Sequence, residues 1–377
     1  MTTDINKRLS QLRQRRTGSG ITSESLSRAD SVQAGIALDA AGPESWETRG
    51  TSNQRWTKYA IGAMAAVGGK YTEVSVATAD RVADQLRDRL STAGVRAEFK
   101  LQGSVPLDVH IRRVSDVDLL TILKSYKTYS PNGVKARQGF YQNNTEATSE
   151  EVLAGLRSQV EIDLQAAFPA ADVDISGGKA VKVCGGSLQR SVDVVPAHWL
   201  DTEEYQSSGQ DEFRGVRIYD KKTRESIRNQ PFLHIERIGS RCDSIHGGLR
   251  KAIRLCKSVK ADSDREIKLS SFDIASLMYH ANMNALRLGQ FTDLAVLAET
   301  QRHLDAAYND QDWAGKLVVP DGSRRIFDDP KKWRWLANLS LEIDELLSSV
   351  YREVAPGQGD PNRPLGDKRN VVKATSI

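Results

Sequence analysis

The run Val117-Asp118-Leu119-Leu120-Thr121-Ile122-Leu123 is the feature that most limits how this chain folds. It is rich in β-formers, too short for a buried helix and preceded by a polar loop, so it reads as a strand. A later run, Ser191-Val192-Asp193-Val194-Val195, repeats its pattern of an aspartate among apolar residues. Successive strand side chains point to opposite faces. Asp116 and Asp118 therefore share a face while Val117 turns to the core. Asp193 faces away from Val192 and Val194. Two such strands side by side bring three carboxylates together.

The surrounding pattern supplies the rest of the sheet and its helices. From Ser75, Val82, Leu86 and Leu90 recur at four-residue spacing and mark an amphipathic helix that Gly94 ends. Residues 97–102 alternate as a strand and run into Gly103-Ser104. Residues 124–147 read as a loop, with Pro131-Asn132-Gly133 as its turn signal. Thr148 and Glu151 make a capping box before a helix faced by Val152, Leu156, Val160, Leu164 and Phe168. Three strand-like pieces follow, 172–176, 180–184 and 188–195, separated by Gly177-Gly178 and Gly185-Gly186. From about residue 244 the pattern is helical. Ile245, Leu249, Ile253 and Cys256 form one face, Ile274, Leu277, Met278 and Ala281 a second, and Leu336, Leu339, Ile343, Leu346 and Val350 a third. The order predicts an α+β chain: a mixed or antiparallel sheet with helices, then a helical lobe. The expected division is a mobile arm over 1–55, a core over 56–240, a helical lobe over 241–354 and a flexible tail over 355–377. There is no internal repeat.

Fifty-three Lys and Arg against 49 Asp and Glu leave a net charge of only +4. That suits small phosphorylated ligands better than a dedicated duplex binder, and leaves nucleic-acid contact open. No apolar run reaches the length of a membrane span, so no membrane partner is expected. The basic N-terminus lacks the apolar stretch of a secretory signal. Three cysteines, Cys184, Cys242 and Cys256, point to a reducing cytoplasm. The spacing of Cys242, His246 and Cys256 matches no standard zinc site, so these thiols read as buried helix residues. His198-Trp199 reads as a packed pair at a strand end. No Ser-His-Asp or Cys-His arrangement stands out.

The chemistry rests on Asp116, Asp118 and Asp193. Three adjacent carboxylates repel one another unless a cation joins them. Hard oxygen ligands suit Mg²⁺, with Mn²⁺ as the alternative ion. Two ions about 4 Å apart serve an in-line displacement at phosphorus. Gly103 lets the backbone approach a triphosphate, and Ser104 offers its N–H and hydroxyl to phosphate oxygens. A second Asp-x-Asp, Asp172-Val173-Asp174, lacks the preceding Gly-Ser and reads as the solvent face of a strand.

At these residues the chain resembles the polymerase-beta-like nucleotidyltransferase superfamily. Leu101-Gln102-Gly103-Ser104 through Asp116-Val117-Asp118-Leu119-Leu120 is similar to its signature, as is Ser191-Val192-Asp193-Val194-Val195-Pro196. Leu249-Arg250-Lys251-Ala252-Ile253-Arg254-Leu255-Cys256-Lys257 resembles the helix whose lysine meets the triphosphate. Leu269-Ser270-Ser271-Phe272-Asp273-Ile274 resembles the next helix start, where a serine contacts phosphate and an aromatic ring stacks on the base. Over roughly residues 75–350 the chain resembles the cGAS/DncV-like (CD-NTase) group, the bacterial CBASS anti-phage cyclic-oligonucleotide synthases. The resemblance implies a nucleotidyltransferase lobe, a helical lobe and an active site in the cleft between them. It implies that Lys257 and Ser271 hold phosphates and Phe272 stacks. It further implies a cyclic di- or trinucleotide made from ATP, with GTP or UTP as further substrates, and a downstream effector that reads the product. Val105-Pro106-Leu107-Asp108-Val109-His110 departs from the family, many of whose members place small and basic residues there. The last residue is Ile377 rather than glycine, so conjugation through the C-terminus is not expected. A transferase that tails or modifies RNA or protein shares the same metal residues and is the alternative. A catalytically dead binding protein would lack one of the carboxylates.

Overall fold

The computed structural model describes residues 4–17, 44–141, 145–355, 357 and 360–377, and holds one seven-stranded mixed sheet among them. The strands are β1 (Ala97–Gln102), β2 (Val117–Tyr129), β3 (Asp172–Asp174), β4 (Val181–Cys184), β5 (Val192–Asp201), β6 (Gly215–Asp220) and β7 (Glu225–Asn229). Their order is β1-β2-β5-β4-β3, with β6 also on β5 and β7 on β6. Among the described residues only β2 and β5 run parallel, and every other strand pairing is antiparallel. The glycine doublets turn β3 into β4 and β4 into β5 as expected, with Gly185 and Gly186 both at positive φ.

Chain contacts divide the protein into two units. The α/β unit comprises Gly68–Pro106 and Ser115–Arg237. Two helices, α3 (Gly69–Thr92) and α4 (Ser149–Ala167), cover one face of its sheet. Ala79, Val82, Leu86 and Leu90 of α3 and Leu156, Val160 and Leu164 of α4 pack on Val117, Leu119, Val181, Val183, Val192 and Val194. The capping box forms: the Thr148 hydroxyl accepts from the Glu151 N–H at 3.2 Å, and Glu151 accepts from the Thr148 N–H at 2.8 Å. The other face carries a smaller apolar cluster of Leu120, Ile122, Val195, Ala197, Trp199, Val216 and Ile218. Strand period two thus sends Asp118 and Asp193 to the face opposite the two helices. A one-residue slip of β5 would bury Asp193 under α3 and α4, so the register is strongly specified.

The helical unit comprises Met1–Val67, Leu107–Val114 and Ile238–Ile377. Its central helix, α6 (Gly248–Asp262), buries Leu249, Ala252, Ile253, Leu255, Cys256 and Val259. Around it stand α2 (Arg55–Met64), α7 (Ser271–Tyr279), α8 (Asp293–Asn309) and α9 (Lys331–Val354). Helix α5 (Pro231–Asp243) runs from one unit into the other.

Three stretches differ from the sequence expectations. The expected loop over 124–147 begins with six residues of β2, because Lys127, Thr128 and Tyr129 continue the ladder to Trp199, Leu200 and Asp201 after a register shift. The expected mobile arm holds α1 (Ile5–Thr17), which buries Leu9 and Leu12. Its Arg8 pairs with Glu342, both side chains 2% exposed, and Arg15 pairs with Asp262. Those partners lie some three hundred residues away, which is why the arm shows little periodicity of its own. Residues 18–43 of that arm lie outside the described residues. The expected flexible tail contains α10 (Leu365–Ala374), which buries Val372 and docks through the Thr292 hydroxyl to the Thr375 carbonyl at 2.8 Å. No helix among the described residues is long and apolar enough to cross a membrane.

Candidate active site

Strand register builds the acidic site in the α/β unit. Gln102 of β1 pairs with Asp118 of β2, Asp118 with Asp193 of β5, Asp193 with Lys182 of β4, and Lys182 with Asp174 of β3. Five strands therefore contribute one transverse row on a single face. Asp116 sits one residue before β2, where the Val117 N–H donates to the Ser191 carbonyl at 3.0 Å and extends the pairing. The Lys182 ammonium lies 2.5 Å from Asp116 Oδ2.

The electrostatics follow from that crowding. Burial raises the Asp193 carboxyl, the nearby charge of Asp116 raises it further, and Lys182 only partly offsets both. Burial alone would lower the Lys182 ammonium, but its hydrogen bond and charge contact with Asp116 raise it on balance. A site that presses protons onto a carboxylate and holds a lysine as counterion is short of positive charge. Its donors are all hard carboxylate oxygens, which fit a divalent cation of the Mg²⁺ type. Among the described residues no three His, Cys, Asp or Glu side chains are gathered closely enough to hold a metal alone. Lys182 stands in the row among its carboxylates.

Gly103 has φ +75°, and a Cβ placed on it would come within 2.1 Å of Asp118 Oδ2. Both the left-handed backbone and the close carboxylate demand glycine there. Ser104 follows it, half-buried in the same turn. The rival Asp174 is exposed and accepts the Ser176 N–H at 2.8 Å, which together with the Ser176 side chain holds its carboxyl below the usual range. It is thus satisfied by its own loop, although its charge is felt by Asp193.

Sequence reasoning missed Lys182. The signal was present: Val181 and Val183 alternate with it, so the Gly185-Gly186 hairpin necessarily turns Lys182 toward the face of Asp193.

The other three expected nucleotide contacts lie in the helical unit. Ser271 is exposed at the first position of α7, whose cap is the preceding Ser270, accepting from the Asp273 N–H at 2.9 Å. Phe272 is half-buried, with the Arg324 guanidinium 5.3 Å from its ring centre. That guanidinium is held by Asp273 at 2.6 Å, so the ring already has a cationic neighbour rather than standing open. Lys257 differs more. It is 4% exposed, and its ammonium donates to the Val109 carbonyl at 2.7 Å.

Lys257 completes a ladder. Arg250 donates from Nε to the Leu107 carbonyl at 2.9 Å, and Arg254 from Nη1 to the Asp108 carbonyl at 2.5 Å. Arg254 also donates from Nε to the Met64 carbonyl at 2.8 Å. Positions 250, 254 and 257 lie on one side of α6, and they grip three consecutive carbonyls. These carbonyls belong to the segment that departs from the family pattern, where Asp108 takes a positive φ.

The remaining readings fall into place. Cys242 and Cys256 are buried and free, and burial pushes the Cys256 thiol up to about 12. His198 is buried, its Nε2 2.7 Å from the Ser149 hydroxyl and its Nδ1 2.9 Å from the Trp199 carbonyl, a packed strand-end residue.

No family model matches the chain. Among known proteins it is 43% identical over 361 residues to the cyclic dinucleotide synthase CdnE of Yersinia aleksiciae, covering 93% of each. It is 31% identical over 287 residues to a c-di-GMP synthase of Capnocytophaga granulosa, covering 72% of this chain and 80% of that one. The fold matches the structure of a STING-associated CdnE c-di-GMP synthase from Flavobacteriaceae sp. with a TM-score of 0.71 at 21% identity, over 94% of this chain and 100% of the other. An identity of 43% across nearly the whole of both sequences shows the family, and the mixed sheet with its helices is the architecture of these enzymes. The chain belongs to the CdnE cyclic dinucleotide synthases of the cGAS/DncV-like nucleotidyltransferase family.

Proposed function

We propose that the chain joins two nucleoside triphosphates into a cyclic dinucleotide, and that Asp116, Asp118 and Asp193 hold the Mg²⁺ ions of that reaction. The observation that carries this reading is the five-strand row, which sets Asp118 beside Asp193 in parallel register and brings the Asp116 charge onto both Asp193 and Lys182. Two divalent cations bound there supply charge neutralisation and polarisation at the reacting phosphorus. Gly103 keeps the turn clear of side-chain atoms, so that its backbone can lie against phosphate oxygens, with Ser104 donating beside it. The 2′- or 3′-hydroxyl of one nucleotide attacks the α-phosphorus of the other, and pyrophosphate leaves. The same step with the remaining triphosphate closes the ring. Ser271 serves the triphosphate from the α7 N-terminus, where N–H groups favour anions. Phe272 with Arg324 offers the base an aromatic and a cationic surface. Lys257, expected on phosphate from the family resemblance, ends here on the Val109 carbonyl and serves the packing of residues 107–109. The product would serve as a second messenger in anti-phage defence.

The test is direct. The Asp116→Asn, Asp118→Asn double variant should lose product by about 10³-fold or more while its circular dichroism and melting stay intact. ATP and GTP are the triphosphates to offer first, since ATP is expected from the family and the name of the Capnocytophaga relative specifies c-di-GMP. Mass spectrometry of the phosphatase-resistant product identifies the bases. Retained synthesis by the folded double variant would overturn the assignment. Label appearing only on added RNA or protein would point to the tailing alternative.

A further inference from the structure

We propose that Lys182 is a built-in competitor for the divalent cation. It closes the carboxylate row to a bare metal ion and opens it to a metal that arrives with a triphosphate. The proposal rests on the assignment of Asp116, Asp118 and Asp193 as the metal carboxylates.

Lys182 is not an incidental surface lysine. Its neighbours Val181 and Val183 are fully buried under α3 and α4, so its own side chain is committed to the opposite face. It stands in register between Asp193 and Asp174, and its ammonium contacts Asp116 at 2.5 Å. The pair is not sealed: the side chains of Lys182 and Asp116 are 40% and 33% exposed. An incoming ion can therefore reach the carboxylate, and the ammonium can leave it.

A cation entering the row meets a like charge within a few ångströms. The ammonium must then turn away and find other acceptors. A lysine has a flexible four-carbon stem and three donors suited to phosphate oxygen. A bare ion brings no such acceptor, whereas a metal–nucleotide complex brings several. Lys182 thus depresses affinity for the ion alone and leaves affinity for the complex almost untouched. In the metal-free protein it offsets part of the Asp116 charge that Asp193 feels.

The full chain is titrated with Mn²⁺, read by the electron paramagnetic resonance of the free ion. Wild type is compared with Lys182→Met, Lys182→Arg and Asp193→Asn. Without nucleotide, Lys182→Met should bind Mn²⁺ about tenfold more tightly than wild type, after allowance for solvent screening of a half-exposed pair. Lys182→Arg, which keeps the charge, should bind as wild type does. With a non-hydrolysable triphosphate present, the difference should fall to within about twofold. Lys182→Gln serves the same comparison should Lys182→Met fail to fold. Equal Mn²⁺ affinity of wild type and the neutral variant without nucleotide overturns the proposal. So does a tenfold gap that persists with nucleotide. Asp193→Asn separates the two levels: if it leaves Mn²⁺ binding unchanged, the carboxylate assignment itself falls.

Discussion

The two units handle concentrated charge in opposite ways. On α6, Arg250, Arg254 and Lys257 each end on a carbonyl of residues 107–109. Arg254 and Lys257 are 5% and 4% exposed, and every donor named there has an acceptor. In the sheet, Lys182 pairs with Asp116, and Asp193 is raised by burial and by the charge of Asp116. The first cluster ends on backbone acceptors, whereas in the second Asp193 lies under the like charge of Asp116. Buried charge that is fully partnered holds a structure in place. Carboxylates crowded together raise one another, and such perturbed groups cluster at functional sites.

That contrast fixes what each substitution should do. The largest effect is the loss of synthesis in the Asp116→Asn, Asp118→Asn variant, with stability kept. Next comes Arg254→Met, which orphans the Met64 and Asp108 carbonyls in a buried place and should cost about 3 kcal/mol in urea unfolding. If Arg254→Met were neutral in stability but poor in catalysis, the ladder would belong with the site and the contrast would collapse. Lys257→Met sharpens the boundary. It should lose about 1–2 kcal/mol of stability through the Val109 carbonyl, with the KM for triphosphate little changed. A large rise in KM at full stability would instead put Lys257 on the phosphate, as the family resemblance implied. The smallest effect has the opposite sign. Because Asp193 is raised in the fold, its ionised form is disfavoured there at neutral pH. Asp193→Asn should therefore stabilise the metal-free protein by about 1 kcal/mol in thermal melting while removing metal binding. A loss of stability would mean that Asp193 is already well partnered.

Much of the sheet was legible because its signals are local. Val117–Leu123, Val192–Val195, the glycine doublets and the Thr148-Glu151 box each declare themselves within a few residues. Alternation alone placed Asp118 and Asp193 opposite the valines. What stayed hidden depends on partners distant in the chain. Leu9 and Leu12 gave too little pattern to mark α1, whose Arg8 and Arg15 find Glu342 and Asp262. The Lys257 ammonium, which the resemblance sets on phosphate, ends on the Val109 carbonyl of a segment far from it in the chain. Lys182 lay between, since its face was readable but its contact with Asp116 was not.

By itself the sequence determined the types of the central elements, the faces of the three aspartates and the family resemblance, because these depend on period, turn chemistry and residue type. Only the tertiary structure decided that the row runs Gln102, Asp118, Asp193, Lys182, Asp174. It also decided that the α6 cations are spent on backbone carbonyls. Strand order and long-range hydrogen bonds are set by which surfaces meet, and no local pattern encodes that meeting.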